Sequence, residues 1–204
     1  ASNSTAVGYQ ALLTNTTGAG NTAVGANALD ANTTGDNNTA IGLSALGVNT
    51  TGLENIAIGN YALDANTNGT NNTAVGYNTL SANTSAVNNT AIGSQSLPAA
   101  TTGSYNTAVG NNTLQAHTTG NYNVAMGQQA LYAKTSSSNN TGIGCFALTA
   151  VTTGAGNTAV GQDAGKTITT GSDNIMIGRS PLTSAVDSSH QIVMGDHVTG
   201  NADT

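Results

Sequence analysis

Apolar and polar positions alternate along this chain in a cycle of 17 residues that never slips. A glycine recurs at Gly8, Gly25, Gly42, Gly59 and Gly76 and continues at the same interval to Gly195, so that twelve units of 17 account for all 204 residues. Each unit reads Asn-Thr-Ala-Val/Ile-Gly, two variable residues, Ala-Leu, two more, then Asn-Thr-Thr-Gly and a variable pair. Two short apolar segments thus alternate with two polar corners. A repeat of this kind is one supersecondary unit that gains its core by stacking on its neighbours.

A helix is excluded. Two glycines per 17 residues each cost roughly 1 kcal/mol in a helix interior, and the apolar spacing gives no stripe at 3.6. Two strands and two tight turns per unit make one coil of a parallel β-solenoid, with Asn and Gly taking positive φ at the corners. The predicted fold is all-β: a β-roll of twelve coils, regular over 1–170 and divergent over 171–204. Those last coils read as a cap or as the lead-in to a further domain. Like residues then stack about 4.8 Å apart, making a rod of roughly 55 Å. The Asn that opens each phrase, from Asn21 through Asn38 and Asn55 to Asn174, is expected to form a side-chain ladder that satisfies buried amides.

Period-two alternation puts Ala23 and Gly25 on one side of the first segment and Thr22 and Val24 on the other. Both sides are small or apolar, as though one lined a thin coil and the other met a partner. Taken as extended, the second segment repeats the hint, because Ala28 and Leu29 then point opposite ways. The predicted core and interface residues are Val7, Val24, Ile41, Ile58, Val75, Ile92, Val109, Met126, Ile143 and Val160, with Leu12, Leu29, Leu46 and Leu63. Such a slender coil buries little apolar surface against its ordering cost, which points to a homo-oligomer of parallel chains.

Composition removes several functions. Lys plus Arg number 3 against 9 Asp plus Glu, a net charge of -6, too few cations for nucleic-acid phosphates. No apolar run is long enough for a membrane span. Cys145 is alone, so disulfides do not build the fold. Asp187, His190, Asp196 and His197 fall near one another but match no zinc spacing, and read as a polar terminal coil. No carboxylate pair suggests glycosidase chemistry. No catalytic residue, cofactor or metal is predicted, and the chain reads as a non-enzyme.

Two surface features remain. Tyr105 and Tyr122 share one phase in consecutive coils and form a candidate aromatic patch for a glycan or a protein. The corner pairs Thr16-Thr17, Thr33-Thr34, Thr50-Thr51, Thr101-Thr102, Thr118-Thr119, Thr152-Thr153 and Thr169-Thr170 raise the alternative of an ice-binding solenoid.

The phrases Asn21-Thr22-Ala23-Val24-Gly25 and Asn38-Thr39-Ala40-Ile41-Gly42, with their Asn-Thr-Thr-Gly corners, resemble the head repeats of YadA-like trimeric autotransporter adhesins. They also resemble the repeat shafts of bacterial and phage tail-fibre proteins that end in a self-cleaving chaperone. The resemblance spans the whole chain, and the 17-residue unit is longer than the adhesin one. It implies a left-handed roll assembled as a homotrimer, an extracellular place on a cell or virion surface, and a structural or host-attachment role.

Overall fold

The computed structural model describes residues 3–200 and shows a single parallel β-solenoid. Twelve three-residue strands, from β1 (Thr5–Val7), β2 (Thr22–Val24) and β3 (Thr39–Ile41) to β11 (Ile175–Ile177) and β12 (Ile192–Met194), follow one another in sequence order within one sheet. Every pairing is parallel and in register: Thr22 opposes Thr39, Ala23 opposes Ala40 and Val24 opposes Ile41. The sheet continues without a break through β11 and β12, and Leu182 and Thr199 add a parallel bridge beside it.

The middle residue of the strand faces inward. Ala23, Ala40 and Ala57 are fully buried, whereas the threonine before and the Val or Ile after are turned to the outside. Alanine fits because the wall across the coil is close. The glycine that follows has a backbone reason. Gly25 sits at φ 136°, and a Cβ there would fall 2.4 Å from Gly42 O of the next coil. No side chain fits that approach.

The second apolar segment departs from the extended form predicted for it. It is a turn, and Leu12, Leu29, Leu46 and Leu63 all lie in the left-handed region, with φ of 53° at Leu12 and 51° at the other three. The reversal sends consecutive side chains to the same side, so Ala28 and Leu29 are both fully buried, as are Ala45 and Leu46. Neither is left over for a partner. The left-handed backbone costs about 1–2 kcal/mol. Burying a leucine offsets it with about 1.5–3 kcal/mol, and Leu29 N–H also donates to Ala45 O of the next coil at 3.1 Å.

The predicted asparagine ladder is present and fully buried. Asn38 N–H donates to Asn21 Oδ1 at 2.8 Å, and Asn38 Nδ2 donates to Gly52 O at 2.8 Å. The motif recurs to Asn174, whose Nδ2 donates to Asn157 Oδ1 at 2.9 Å. A second ladder runs along the other corner. Asn32, Asn49, Asn66 and Asn83 each donate to the preceding asparagine's Oδ1, at 2.9, 3.0, 2.9 and 2.7 Å, and also to the carbonyl three residues on. It begins at Asn15 and stops at Ala100. Beyond that His117, Lys134, Val151 and Ile168 take the same buried place. His117 Nε2 bonds Gly120 O at 2.8 Å and Lys134 Nζ donates to Ser137 O, so both repeat the reach of the asparagines they replace.

Candidate binding face

The outer surface of the sheet carries two columns of side chains. One holds the first strand residue: Thr22, Thr39, Thr73, Thr90, Thr107, Thr141 and Thr158, interrupted by Ile56 and Val124 and ended by Ile175 and Ile192. The other holds the third residue, Val, Ile or Met in every strand. In-register pairing sets each member directly over the next, about 4.8 Å away, with the two columns two residues apart along each strand.

This column contains the residues predicted as core or interface. Ile41 is 38% exposed, Ile58 37%, Ile92 40% and Met126 39%, while Val24, Val75 and Val109 are half-buried. In the single chain they line the outside of the coil. Leu29, Leu46 and Leu63 lie inside it, and Leu12 in the first coil is partly covered.

Threonine hydroxyls separate into two groups. On the corner, the first member of each pair is used internally: Thr33 Oγ1 donates to Thr50 O at 3.0 Å, Thr50 to Thr67 O at 3.1 Å and Thr118 to Thr135 O at 3.1 Å. The second member forms one row broken by Asn68, Ser85 and Ser136. The strand threonines differ from the first members. Among the described residues, the side chains of Thr22, Thr39, Thr73, Thr90, Thr107, Thr141 and Thr158 make no hydrogen bond within the chain. The exposed second corner members, Thr34, Thr51, Thr102 and Thr119 among them, likewise make no side-chain hydrogen bond among the described residues. What sets the strand column apart is that it shares a flat, in-register face with the Val/Ile column. The corner pairs named from the sequence are not that column. The signal was present in the sequence, because Thr and Val/Ile stand two apart in each strand and share a face.

Tyr105 and Tyr122 are stacked, with ring centroids 5.1 Å apart and planes 14° apart, and both are exposed. Tyr61 and Tyr77 meet edge-on at 6.3 Å on another row, a contact between adjacent phases that the single-phase reading passed over. The late charges form an exposed ladder. Arg179 grips Asp196 through two bonds, Nε to Oδ1 at 3.0 Å and a terminal nitrogen to Oδ2 at 2.9 Å. That hydrogen-bonded guanidinium pulls the Asp196 carboxyl down to about 2. His197 Nδ1 lies 2.6 Å from Asp196 Oδ1 and His190 Nε2 lies 3.6 Å from Asp173 Oδ2. Among the described residues no three His, Cys, Asp or Glu side chains converge as a metal site, and no helix is long and apolar enough to cross a membrane.

These features define a solenoid repeat protein, a stacked-coil rod with one two-column face. Comparison with family models, with curated proteins and with solved structures returns no match.

Proposed function

We propose that this chain is a non-enzymatic, ice-binding β-solenoid whose strand face orders water against its Thr and Val/Ile columns. The observation that carries the reading is the set of strand threonine hydroxyls that take no partner in the chain and share one face with the Val/Ile column, while the first threonine of each corner pair is satisfied internally. Each threonine-bearing strand offers a hydroxyl and a methyl from threonine, and methyl groups from its Val or Ile partner. Repetition at one strand spacing makes a regular array on which a first water layer can take up a lattice. The low charge of the chain suits such a surface, since ions disorder water. Ice-recrystallisation inhibition and thermal hysteresis test the reading, with Thr90→Tyr and Thr107→Tyr as variants that roughen the face at its centre. Both activities are expected in the parent chain and are expected to fall sharply in the double variant with its melting unchanged. A parent chain without either activity refutes the proposal.

A second reading rests on a different observation. The third-residue column is apolar throughout, and Ile56, Val124, Ile175 and Ile192 interrupt the hydroxyls. A face of that kind also suits burial against copies of the chain, giving an extracellular trimeric shaft that displays a glycan- or protein-binding surface on a cell or virion. Light scattering separates the two. A mass near 20.0 kDa supports a free face, and about three times that supports the shaft. In the shaft, Ile41→Asp would reduce the mass to that of one chain, because it buries an unpaired charge.

A further inference from the structure

Most glycines here answer to the backbone, but Gly47 does not. At Gly35 and Gly52 a Cβ would fall 2.4 Å from a carbonyl oxygen of the next coil, and others of the set hold positive φ. At Gly47 a Cβ would meet nothing closer than Ser44 O at 3.3 Å, then Asn27 O and Asp30 Oδ1 at 3.6 Å each. The same phase carries Asp30 one coil before and Asp64 one coil after. The missing side chain therefore opens a groove of about 320 Å³, with Asp30 at one end, Asp64 at the other, and Tyr61 and Val48 on its walls.

The groove is chemically incomplete. The 3 Lys and Arg residues of the chain are placed elsewhere: Lys134 inside the coil, Lys166 on Asp163 and Arg179 on Asp196. Asp30 and Asp64 have no ion pair among the described residues. Asn27 also lines the groove, and its Oδ1 is buried beside it without a hydrogen-bond partner. Burial pushes the Asp64 carboxyl above its ordinary range, which is the cost of a half-covered carboxylate without a cation. Asp30 Oδ1 already leans over the Gly47 gap.

We propose that the groove opened by Gly47 between Asp30 and Asp64 binds an alkyl diammonium ion, one ammonium on each carboxylate and the alkyl bridge against Tyr61 and Val48. The two aspartates are two coil rises apart, about 9.6 Å between backbones. That span suits two cationic ends. Among the described residues no third His, Cys, Asp or Glu joins the two aspartates to complete a divalent-metal site. The tyrosine ring adds an attractive face for a cation or its methylenes.

Titration calorimetry of the full chain with cadaverine, at low and at physiological salt, tests the site. Saturable one-to-one binding is expected, weaker at higher salt. It is expected to weaken about tenfold in Asp64→Asn, the loss of one charge-assisted bond, and to vanish in Gly47→Leu, which fills the groove. Thermal melts establish that each variant folds; if Gly47→Leu does not, Asp30→Asn and Asp64→Asn carry the test. Asp36→Asn, on another row, is expected to change nothing. The proposal is overturned if cadaverine does not saturate, if butylamine binds as tightly, if calcium chloride competes for the site, or if Asp36→Asn weakens binding as much as Asp64→Asn.

Discussion

Removing one ladder asparagine is expected to cost different amounts at the two ends of the rod, and the structure sets the difference. In the fourth coil, Asn55 Nδ2 donates to Gly69 O at 2.8 Å, and Asn66 Nδ2 of the second ladder donates to the same oxygen at 3.1 Å. In the tenth coil, Asn157 Nδ2 donates to Gly171 O at 2.8 Å, but the second-ladder position there is Ile168, which has no donor. Asn55→Ala leaves one buried group orphaned, the Asn72 N–H that had bonded Asn55 Oδ1 at 3.0 Å. Asn157→Ala orphans the equivalent Asn174 N–H, bonded at 3.1 Å, and the Gly171 carbonyl as well. An unsatisfied buried polar group costs about 1–3 kcal/mol, and each lost but replaceable bond about 0.5–1.5 kcal/mol. Asn55→Ala should then destabilise by about 2–4 kcal/mol, and Asn157→Ala by about 1–3 kcal/mol more. Urea unfolding followed by circular dichroism gives the totals. Amide exchange at the strand residues of the mutated coil supplies the local value, because long repeat arrays need not unfold as one unit. Equal costs for the two variants, or a larger cost for Asn55→Ala, would refute the claim that the second ladder backs up the first.

The other predictions are brief. Burial lowers the Lys134 ammonium to about 7, and burial, reinforced by Lys134, lowers the His117 imidazole to about 4. Both groups hold fewer protons folded than unfolded. Stability should therefore fall as pH drops from the ordinary lysine value toward 7, and again from the ordinary histidine value toward 4. Denaturation at a series of pH values should show the upper slope disappear in Lys134→Met; an unchanged slope would assign it elsewhere. Leu46→Ala should cost about 2–4 kcal/mol through the cavity it leaves, measured by urea unfolding. A cost below 1 kcal/mol would mean that the turn collapses onto the gap.

The period made the coil count, the parallel order, the register and the first asparagine ladder legible before any coordinates, because an unbroken phase allows only one stacking. The sign of φ at Leu29 was not legible. Leucine strongly prefers negative φ, so an Ala-Leu pair reads as extended, and only the closure of so small a loop forces the left-handed turn that buries both. The second ladder was visible as Asn15, Asn32, Asn49, Asn66 and Asn83 at one phase, yet corner asparagines are ordinary turn residues and gave no sign of burial. The candidate face was half legible. Thr22 and Val24 were rightly set on one side of the strand, but which threonine rows keep free hydroxyls depends on carbonyls of the next coil. The Gly47 groove follows from a residue that is unremarkable in a chain with 26 glycines and stands out only because a Cβ there would meet no atom closer than 3.3 Å.

The left-handed leucine turn also bears on the outer face. Because Ala and Leu from that turn and Ala from the strand fill the coil, the third strand residue is free of any duty inside it. It is nonetheless Val, Ile or Met in all twelve strands, from Val7 to Met194. Other outward phases show what an unconstrained position looks like: the row through Tyr9, Ala26, Leu43, Asn60, Tyr77 and Ser94 changes chemistry at every step. Strand propensity alone does not account for the contrast, since threonine serves a strand as well as valine and occupies the first strand residue repeatedly, yet never the third. The two columns thus differ in kind, one mostly hydroxyl-bearing and one wholly apolar, although both are outward and in the same strands. A difference between two columns that lie two residues apart on the same face is what the proposed contact with a surface outside the coil would require. On an ice-binding face, Ile92→Thr should therefore cost activity despite adding a hydroxyl, whereas Ile56→Thr should preserve or raise it. Recrystallisation assays of the two variants that ranked them the other way would remove the distinction between the columns.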